Sequence, residues 1–100
     1  MPKVSVKVPH NKKPDEALQI VQPALEKTVS DFQGRDLEVD WQENSGTFSF
    51  KSMAFTIKGK VAIGEDEVLL DIDLPFAAMM FKDKAEKAVR KNLLRAFGDA

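Results

Sequence analysis

Apolar and polar residues alternate in five short stretches of this chain. The first is "KVSVKV", residues 3–8, where valines alternate with lysine and serine. The others are "DLEVDWQ" at 36–42, "TFSFK" at 47–51, "AFTIKGKVAIG" at 54–64 and "VLLDIDL" at 68–74. A period of two is typical of a strand with one buried and one solvated face, so the sequence predicts five β-strands.

Two other stretches repeat with the period of an α-helix. Residues 14–34 open with Pro-Asp-Glu, a combination that favours a helix N-terminus, carry an apolar stripe and end at a glycine. Residues 81–98 show the same spacing and also end at a glycine. Pro23 interrupts the first stripe, and proline is unfavourable inside a helix. We therefore expect a kink there, or two short helices that meet near Gln22.

The order of these elements is strand, helix, four strands, helix. The polar sides of the strands are nearly all charged, so one face of the sheet should be solvated and both helices should pack on the other. We predict a single two-layer α+β domain over residues 1–100, with a five-stranded antiparallel sheet and Trp41 on its inward side. This order resembles the helix-grip arrangement of TBP-like and Bet v 1-like folds, in which the first strand returns beside the last.

The composition argues against several classes of partner and of chemistry. With 15 basic and 16 acidic side chains, the net charge of −1 gives no overall attraction to nucleic acid, and we expect no nucleic-acid partner. The absence of cysteine excludes disulfides and cysteine metal sites. The N-terminal residues lack the apolar block of a secretory signal, and no run reaches the roughly 18–20 apolar residues of a membrane span. These features predict a cytoplasmic protein without a transmembrane segment.

The residues that could carry catalysis are few. His10 is the only histidine, and no second or third group for a triad or metal site accompanies it. Acid pairs such as Asp71 and Asp73 share a strand face with lysines, so solvated ion pairing is the better interpretation. We therefore predict no catalytic residue, metal or cofactor, and a loop or capping role for His10.

The longest run without a charged or hydrogen-bonding side chain is "LPFAAMMF", residues 74–81. Such a run can be a surface-binding wedge, the wall of a ligand pocket, or the corner where a strand passes into a buried helix. Leu74 should complete the last strand and Pro75 should end it. We expect the following "FAAMMF" to pack that corner. Because adjacent helical residues cannot both face inward, one of Met79 and Met80 should be exposed.

The second helix is basic on its polar side. Its charged residues are Lys82, Lys84, Lys87, Arg90, Lys91 and Arg95 against Asp83 and Glu86. A basic amphipathic helix behind an apolar segment can bind a lipid or other apolar surface. The candidate contacts with such a surface or a ligand are Phe76, Met79, Met80, Lys84, Lys87 and Lys91. The apolar stripe of this helix should instead cover the sheet, and it contains Phe81, Val89, Leu93 and Phe97.

Three segments, "PKVSVKVPH", "FSFKSMAFTIKGKV" and "DIDLPFAAMMFKDKAEKAV", together resemble the polyhydroxyalkanoic acid system family nearly end to end. This chain has Ala54 and Asp83 where that pattern usually shows glycine. The resemblance implies a setting, since these small bacterial proteins are associated by gene neighbourhood with polyhydroxyalkanoate granules, but it transfers no catalytic residue.

Two functions are compatible with this setting, and the oligomeric state stays open. The first is a non-enzymatic accessory protein that acts at or near the granule, or at a lipid surface, through an apolar patch. The alternative is a small hydrophobic-ligand binding protein with a cavity between the sheet and the C-terminal helix.

Overall fold

The structure, a computed structural model, describes residues 3–98. Its elements are β1 (Lys3–Pro9), α1 (Pro14–Asp31), β2 (Gly34–Gln42), β3 (Ser45–Ser52), β4 (Phe55–Ile63), β5 (Glu67–Asp73), a 3₁₀ helix (Phe76–Phe81) and α2 (Lys82–Gly98). This order confirms the predicted one. Sequence periodicity did not reveal the 3₁₀ helix, which separates the last strand from α2.

The five strands form one antiparallel sheet in the order β1-β5-β4-β3-β2. The first strand therefore pairs with the last, and Ser5 lies opposite Asp71. The Ser5 hydroxyl donates a hydrogen bond to the Asp71 carboxylate at 2.5 Å. This topology fits the predicted helix-grip-like α+β fold, with β1 and β2 as the two edges of the sheet.

One face of the sheet is buried and the other is polar. In β1, for example, Val4, Val6 and Val8 are all at most 1% exposed, whereas the residues between them are exposed. On the polar face, lysines of β4 lie opposite acids of β5: Lys58 pairs in register with Asp73 and Lys60 with Asp71. Opposite charges on neighbouring strands attract each other, so these pairs stabilise the sheet while the face stays in contact with water.

The two helices pack side by side on the buried face. α2 contacts β1, and α1 contacts β2 and β4. α1 continues as one helix through Pro23, so the expectation of two short helices is wrong. Pro23 and Gln19, whose carbonyl would accept the missing N–H, both lie on the solvent side of α1. Because that carbonyl can be solvated, the proline costs less there than in a buried turn.

A polar cluster joins the helices within this otherwise apolar layer. The side-chain amide of Asn92 donates to the Thr28 hydroxyl at 2.9 Å and to the Asp31 carboxylate at 3.0 Å. Thr28 in turn donates to the Ala24 carbonyl at 2.8 Å. Asn92 and Thr28 are buried, and these bonds satisfy their polar groups. Because these hydrogen bonds form only when the two helices are aligned in one way, they favour one register of α2 against α1.

Cover over the buried face is incomplete at the β2 edge. Leu37, Val39 and Trp41 point to the helix side, as their parity predicted, but are only half-buried. A register shift between Arg35 and Glu38 marks a bulge in this edge strand. The sheet is also closely packed near its middle, where the Phe48 ring lies over Gly59 on the next strand and leaves no space for a β-carbon.

Phe50 tests the inward face of the sheet, since it is 2% exposed and stacks beside Phe48. Replacement of Phe50 by Ala should lower the free energy of unfolding by about 3–5 kcal/mol, because a large buried ring is removed. Phe76→Ala is the matched control at a 73% exposed ring and should change it by no more than about 0.5 kcal/mol. Urea denaturation of both variants measures this. A loss below about 1 kcal/mol for Phe50→Ala would contradict the facing of β3.

Asp31 gives a pH-dependent prediction. Hydrogen bonds from Lys27 and then Asn92 hold its pKa below the ordinary value of 3.8. A carboxyl whose pKa is lower in the folded protein than in the unfolded protein stabilises the folded state at pH values above the unfolded-state pKa. This contribution is lost as the pH falls through the folded-state pKa. Asp31→Asn should therefore be less stable than wild type at neutral pH, and the difference should shrink in acid below the unfolded-state pKa.

Urea denaturation at several pH values checks this, with Asp40→Asn on the polar face as the matched control. A stability difference for Asp31→Asn that stays constant across the acid range would show that the carboxylate charge does not contribute.

Candidate functional site

The candidate site begins where β5 leaves the sheet. The strand ends at Asp73, one residue before the predicted end at Leu74. Leu74 is 5% exposed and belongs to the core, and Pro75 after it has extended backbone. The Ala78 N–H then donates to the Pro75 carbonyl at 2.9 Å, which closes the first turn of the 3₁₀ helix. Residues in a 3₁₀ helix repeat every three positions, so this segment presents three rows of side chains.

Two of those rows face solvent. Phe76 is 73%, Met79 50% and Met80 81% exposed. We name these three residues the apolar patch. The expectation that "FAAMMF" packs the corner is therefore wrong. The expectation that one of the two methionines is exposed is confirmed, and the structure exposes the other as well. Phe76 and Met79 are three positions apart and share one row, whereas Met80 shares the next row with Ala77.

The third row faces the protein and contains Ala78 and Phe81. Ala78 is 4% exposed, but Phe81 is 47% exposed, so its predicted place in the core is also wrong. The physical reason is a pocket of about 200 Å³ that Phe81 and Ala85 line together. The helical spacing correctly placed Phe81 on the side of Ala85, but empty space lies where a core residue would meet its neighbours.

The pocket lies between the sheet, the C-terminal end of α1 and the beginning of α2. Its apolar lining consists of Met53, Phe55, Ile57, Ile72, Leu74, Ala78, Phe81 and Ala85, and Phe32, directly after α1, adds a further ring. Its polar lining consists of Asp31, Gln33, Ser52 and Lys84. Ser52 is buried and donates to the Phe32 carbonyl at 2.6 Å. The pocket is thus mainly apolar, with charged groups from the two helices.

Met53 is a part of this site that the sequence pattern did not identify. It occupies the two-residue connection between β3 and β4, with a positive φ of 56°, and is 64% exposed. Gln33, at the end of α1, also has a positive φ of 55° and lines the same pocket. Such backbone conformations are uncommon outside glycine. A turn residue has no hydrophobic period, so only the tertiary structure places Met53 beside the pocket.

The three predicted lysines lie on α2. Lys84, Lys87 and Lys91 are exposed and share one face, because they are three and four positions apart. Arg90 on the same helix pairs with Glu86 at 3.3 Å. Within residues 3–98, neither Lys84 nor Lys87 forms an ion pair. Only Lys84 of the three lines the pocket, so the structure separates it from the other two.

His10 lies away from this site and is held by backbone groups. Its Nδ1 accepts a hydrogen bond from the Lys12 N–H at 3.1 Å, so the ring proton is on Nε2, which donates to the Gly64 carbonyl at 2.9 Å. The ring also stacks on Phe97, with centroids 5.3 Å apart and an angle of 13°. The histidine therefore joins the end of β1 to the β4–β5 connection and to the end of α2.

Comparison with known proteins adds a family. The family that matches this chain over residues 4–97 carries the description "Putative polyhydroxyalkanoic acid system protein". Comparison with curated proteins gives no match. Among solved structures, the crystal structure of TTHA0849 from Thermus thermophilus is similar at 12% sequence identity and a TM-score of 0.44, over 98% of this chain and 95% of the other. Within residues 3–98, neither helix has the length and hydropathy needed to cross a membrane.

His10→Ala should lower the free energy of unfolding by about 1–3 kcal/mol, because two hydrogen bonds and a ring stack are lost. Urea denaturation measures the change. Asn11→Ala, at the next position along the chain, is the control and should stay within about 0.5 kcal/mol of wild type. A His10→Ala variant as stable as the control would contradict the structural role of this ring.

Proposed function

The chain belongs to the polyhydroxyalkanoic acid system family, and on that premise we propose that it is a non-enzymatic accessory protein of polyhydroxyalkanoate storage. In this proposal it works in the cytoplasm at the granule surface, which it binds through the apolar patch. The patch is the observation that carries the proposal, because Phe76, Met79 and Met80 are between 50% and 81% exposed. Clustered apolar exposure of this kind marks interaction surfaces in soluble proteins.

The energy available from the patch is sufficient for reversible binding. Full burial of one large apolar side chain contributes roughly 1.5–3 kcal/mol. Three neighbouring side chains on one short helix can enter an apolar layer together, and part of this gain is offset by lost rotational and translational freedom. A second attractive contribution is therefore needed for stable association with a surface.

The basic face of α2 supplies that second contribution in the proposal. Lys84 and Lys87 have no ion-pair partner within residues 3–98, so their charges are available to an anionic surface. The helix begins at Lys82, directly after Phe81, so the basic and apolar groups are adjacent along the chain. Each exposed lysine near an anionic surface contributes about 1 kcal/mol at moderate salt.

The surroundings of His10 support a role without catalysis. Both of its ring nitrogens are hydrogen-bonded to backbone groups, and one ring face stacks on Phe97. A general base needs a ring nitrogen within reach of a substrate proton. We therefore propose that His10 has a structural role and that a folded His10→Ala variant retains cellular function.

The pocket favours a second candidate function, the binding of a small hydrophobic ligand between the sheet and α2. Its volume of about 200 Å³ and its apolar lining are the supporting observations. Pockets for drug-sized molecules are larger, typically about 300–1,000 Å³. This candidate therefore requires a ligand of few atoms, and it is compatible with surface binding because the patch residues do not line the pocket.

Met80→Glu tests surface binding. A charged side chain in the middle of the patch should abolish co-sedimentation with isolated polyhydroxyalkanoate granules, while the melting temperature stays within a few degrees because the position is 81% exposed. Ala62→Glu is the matched control, since Ala62 is exposed on the polar face of the sheet, away from the patch and from the lysines of α2. Co-sedimentation of the control should match wild type.

The charge contribution is tested separately by Lys84→Glu, Lys87→Glu and Lys91→Glu together. Binding should weaken mainly at low salt, because attraction between exposed charges is screened over roughly 8–10 Å at physiological ionic strength. Granule binding that survives both Met80→Glu and this triple change would contradict the proposed surface. Equal loss in Met80→Glu and Ala62→Glu would show that the patch has no special role.

A further inference from the structure

We propose that the pocket beside the apolar patch binds a short linear monocarboxylate, with its aliphatic chain inside and its carboxylate at Lys84. This inference rests on the second candidate function and names its ligand class. It does not require surface binding, because Phe76, Met79 and Met80 are not part of the pocket wall.

The lining of the pocket selects an aliphatic chain. Ile57 and Ile72 come from the sheet, Leu74 follows β5 and Ala85 comes from α2, and all four are at most 6% exposed. Ile57 is paired with Phe50 in the β3–β4 ladder and Ile72 with Gly59 in the β4–β5 ladder, so the strand backbone there offers few free polar groups. Burial of a ligand's aliphatic chain against this wall therefore contributes roughly 0.8 kcal/mol for each methylene group.

The volume of the pocket sets the length of that chain. A cavity of about 150 Å³ accommodates benzene, which has six heavy atoms. The volume here is about 200 Å³, so it has space for a chain of only a few carbons more than that. Chains of about four to eight carbons therefore fit, whereas a long fatty acyl chain or a nucleotide exceeds the available space.

Charge at the pocket selects the head group. Lys84 is the only cation among the lining residues, and it has no ion-pair partner within residues 3–98. Asp31 also lines the pocket, but each of its carboxylate oxygens is already engaged, one by Lys27 and the other by Asn92. Lys84 is thus left to bind an anion. Gln33, which also lines the pocket, carries an amide that can donate a further hydrogen bond.

Two exposed apolar side chains flank the opening from different elements. Phe81, on the 3₁₀ helix, is 47% exposed, and Met53, in the β3–β4 connection, is 64% exposed. Both line the pocket while they remain in contact with solvent. A bound chain removes part of the apolar surface of each from water. Methionine is suited to this position because its flexible side chain adapts to different chain lengths.

The test is a titration of the whole ¹⁵N-labelled protein with hexanoate, followed by amide chemical shifts. We expect saturable shifts at lining residues such as Ile72, Ala78 and Ala85, and none at the distant Trp41 beyond background. 1-Hexanol is the neutral comparison ligand of equal chain length, and hexylamine is the cationic one. Hexanoate should bind about two- to fivefold more tightly than 1-hexanol, the effect of one exposed ion pair, and hexylamine should bind most weakly.

Two variants test the assignment within the pocket. Lys84→Ala should reduce the affinity for hexanoate about two- to fivefold, to that for 1-hexanol, while Lys87→Ala, on the same helix but outside the lining, leaves both affinities unchanged. Ala85→Leu fills part of the cavity and should abolish binding of both ligands. If Ala85→Leu does not fold, the Lys84→Ala and Lys87→Ala pair still decides the role of the lysine.

The outcomes separate this inference from surface binding. A Met80→Glu variant that no longer co-sediments with granules should bind hexanoate like wild type. Absence of saturable shifts in the wild-type protein would overturn the pocket assignment, and equal affinities for hexanoate and 1-hexanol would overturn the carboxylate. Neither result alters the granule experiment, whose own failure leaves hexanoate binding intact.

Discussion

The fold depends on a sheet that can be covered on one face only. Charged rows such as Lys58 opposite Asp73 keep the other face in water, so the two helices must share a single surface. The outer strands of a five-stranded sheet lie about 19 Å apart, whereas the axes of two packed helices lie about 8–10 Å apart. Two helices therefore cannot cover all five strands equally. The half-buried Leu37 and Trp41 on β2 show where the cover ends.

The same limit explains the candidate site. Beyond the end of β5, Ala78 is the residue of the inward row of the 3₁₀ helix that is buried. Its side chain is too small to fill the space beneath it, and a pocket remains. The other rows have no layer to pack against, so Phe76 and Met80 remain in solvent. Patch and pocket thus have one cause, the incomplete packing at this point, and they lie on two sides of the same short 3₁₀ helix. In the proposed function, a granule surface supplies the missing layer.

Sequence periodicity predicted the elements that have a regular period and a buried partner. The alternation of Val4, Val6 and Val8 and the inward parity of Trp41 were sufficient to place strand faces, and element order was sufficient for the α+β fold. At Pro23 the sequence left a kink or two short helices open, and α1 remains one helix there. A proline on the solvent side of a helix leaves the unpaired carbonyl accessible to water. Phe76, Met79 and Met80 were identified from the sequence as candidate surface contacts, with one methionine expected to be exposed. The sequence could not show that all three are exposed, because hydrophobicity indicates a preference for burial and does not show whether a neighbour is present. The pocket is a property of several distant elements and leaves no local signal.

The pairing of β1 with β5 has a consequence for how the chain acquires its structure. Ser5 and Asp71 are 66 positions apart, so the first strand to be synthesised has no sheet partner until most of the chain exists. At about 5–20 residues per second, the interval is on the order of 3–13 s on the ribosome. Throughout that interval the valine row of β1 is unpaired and apolar, while β2, β3 and β4 can already form their local hairpins. Long-range pairing of this kind slows folding, so closure of the sheet by β1 should be the late step.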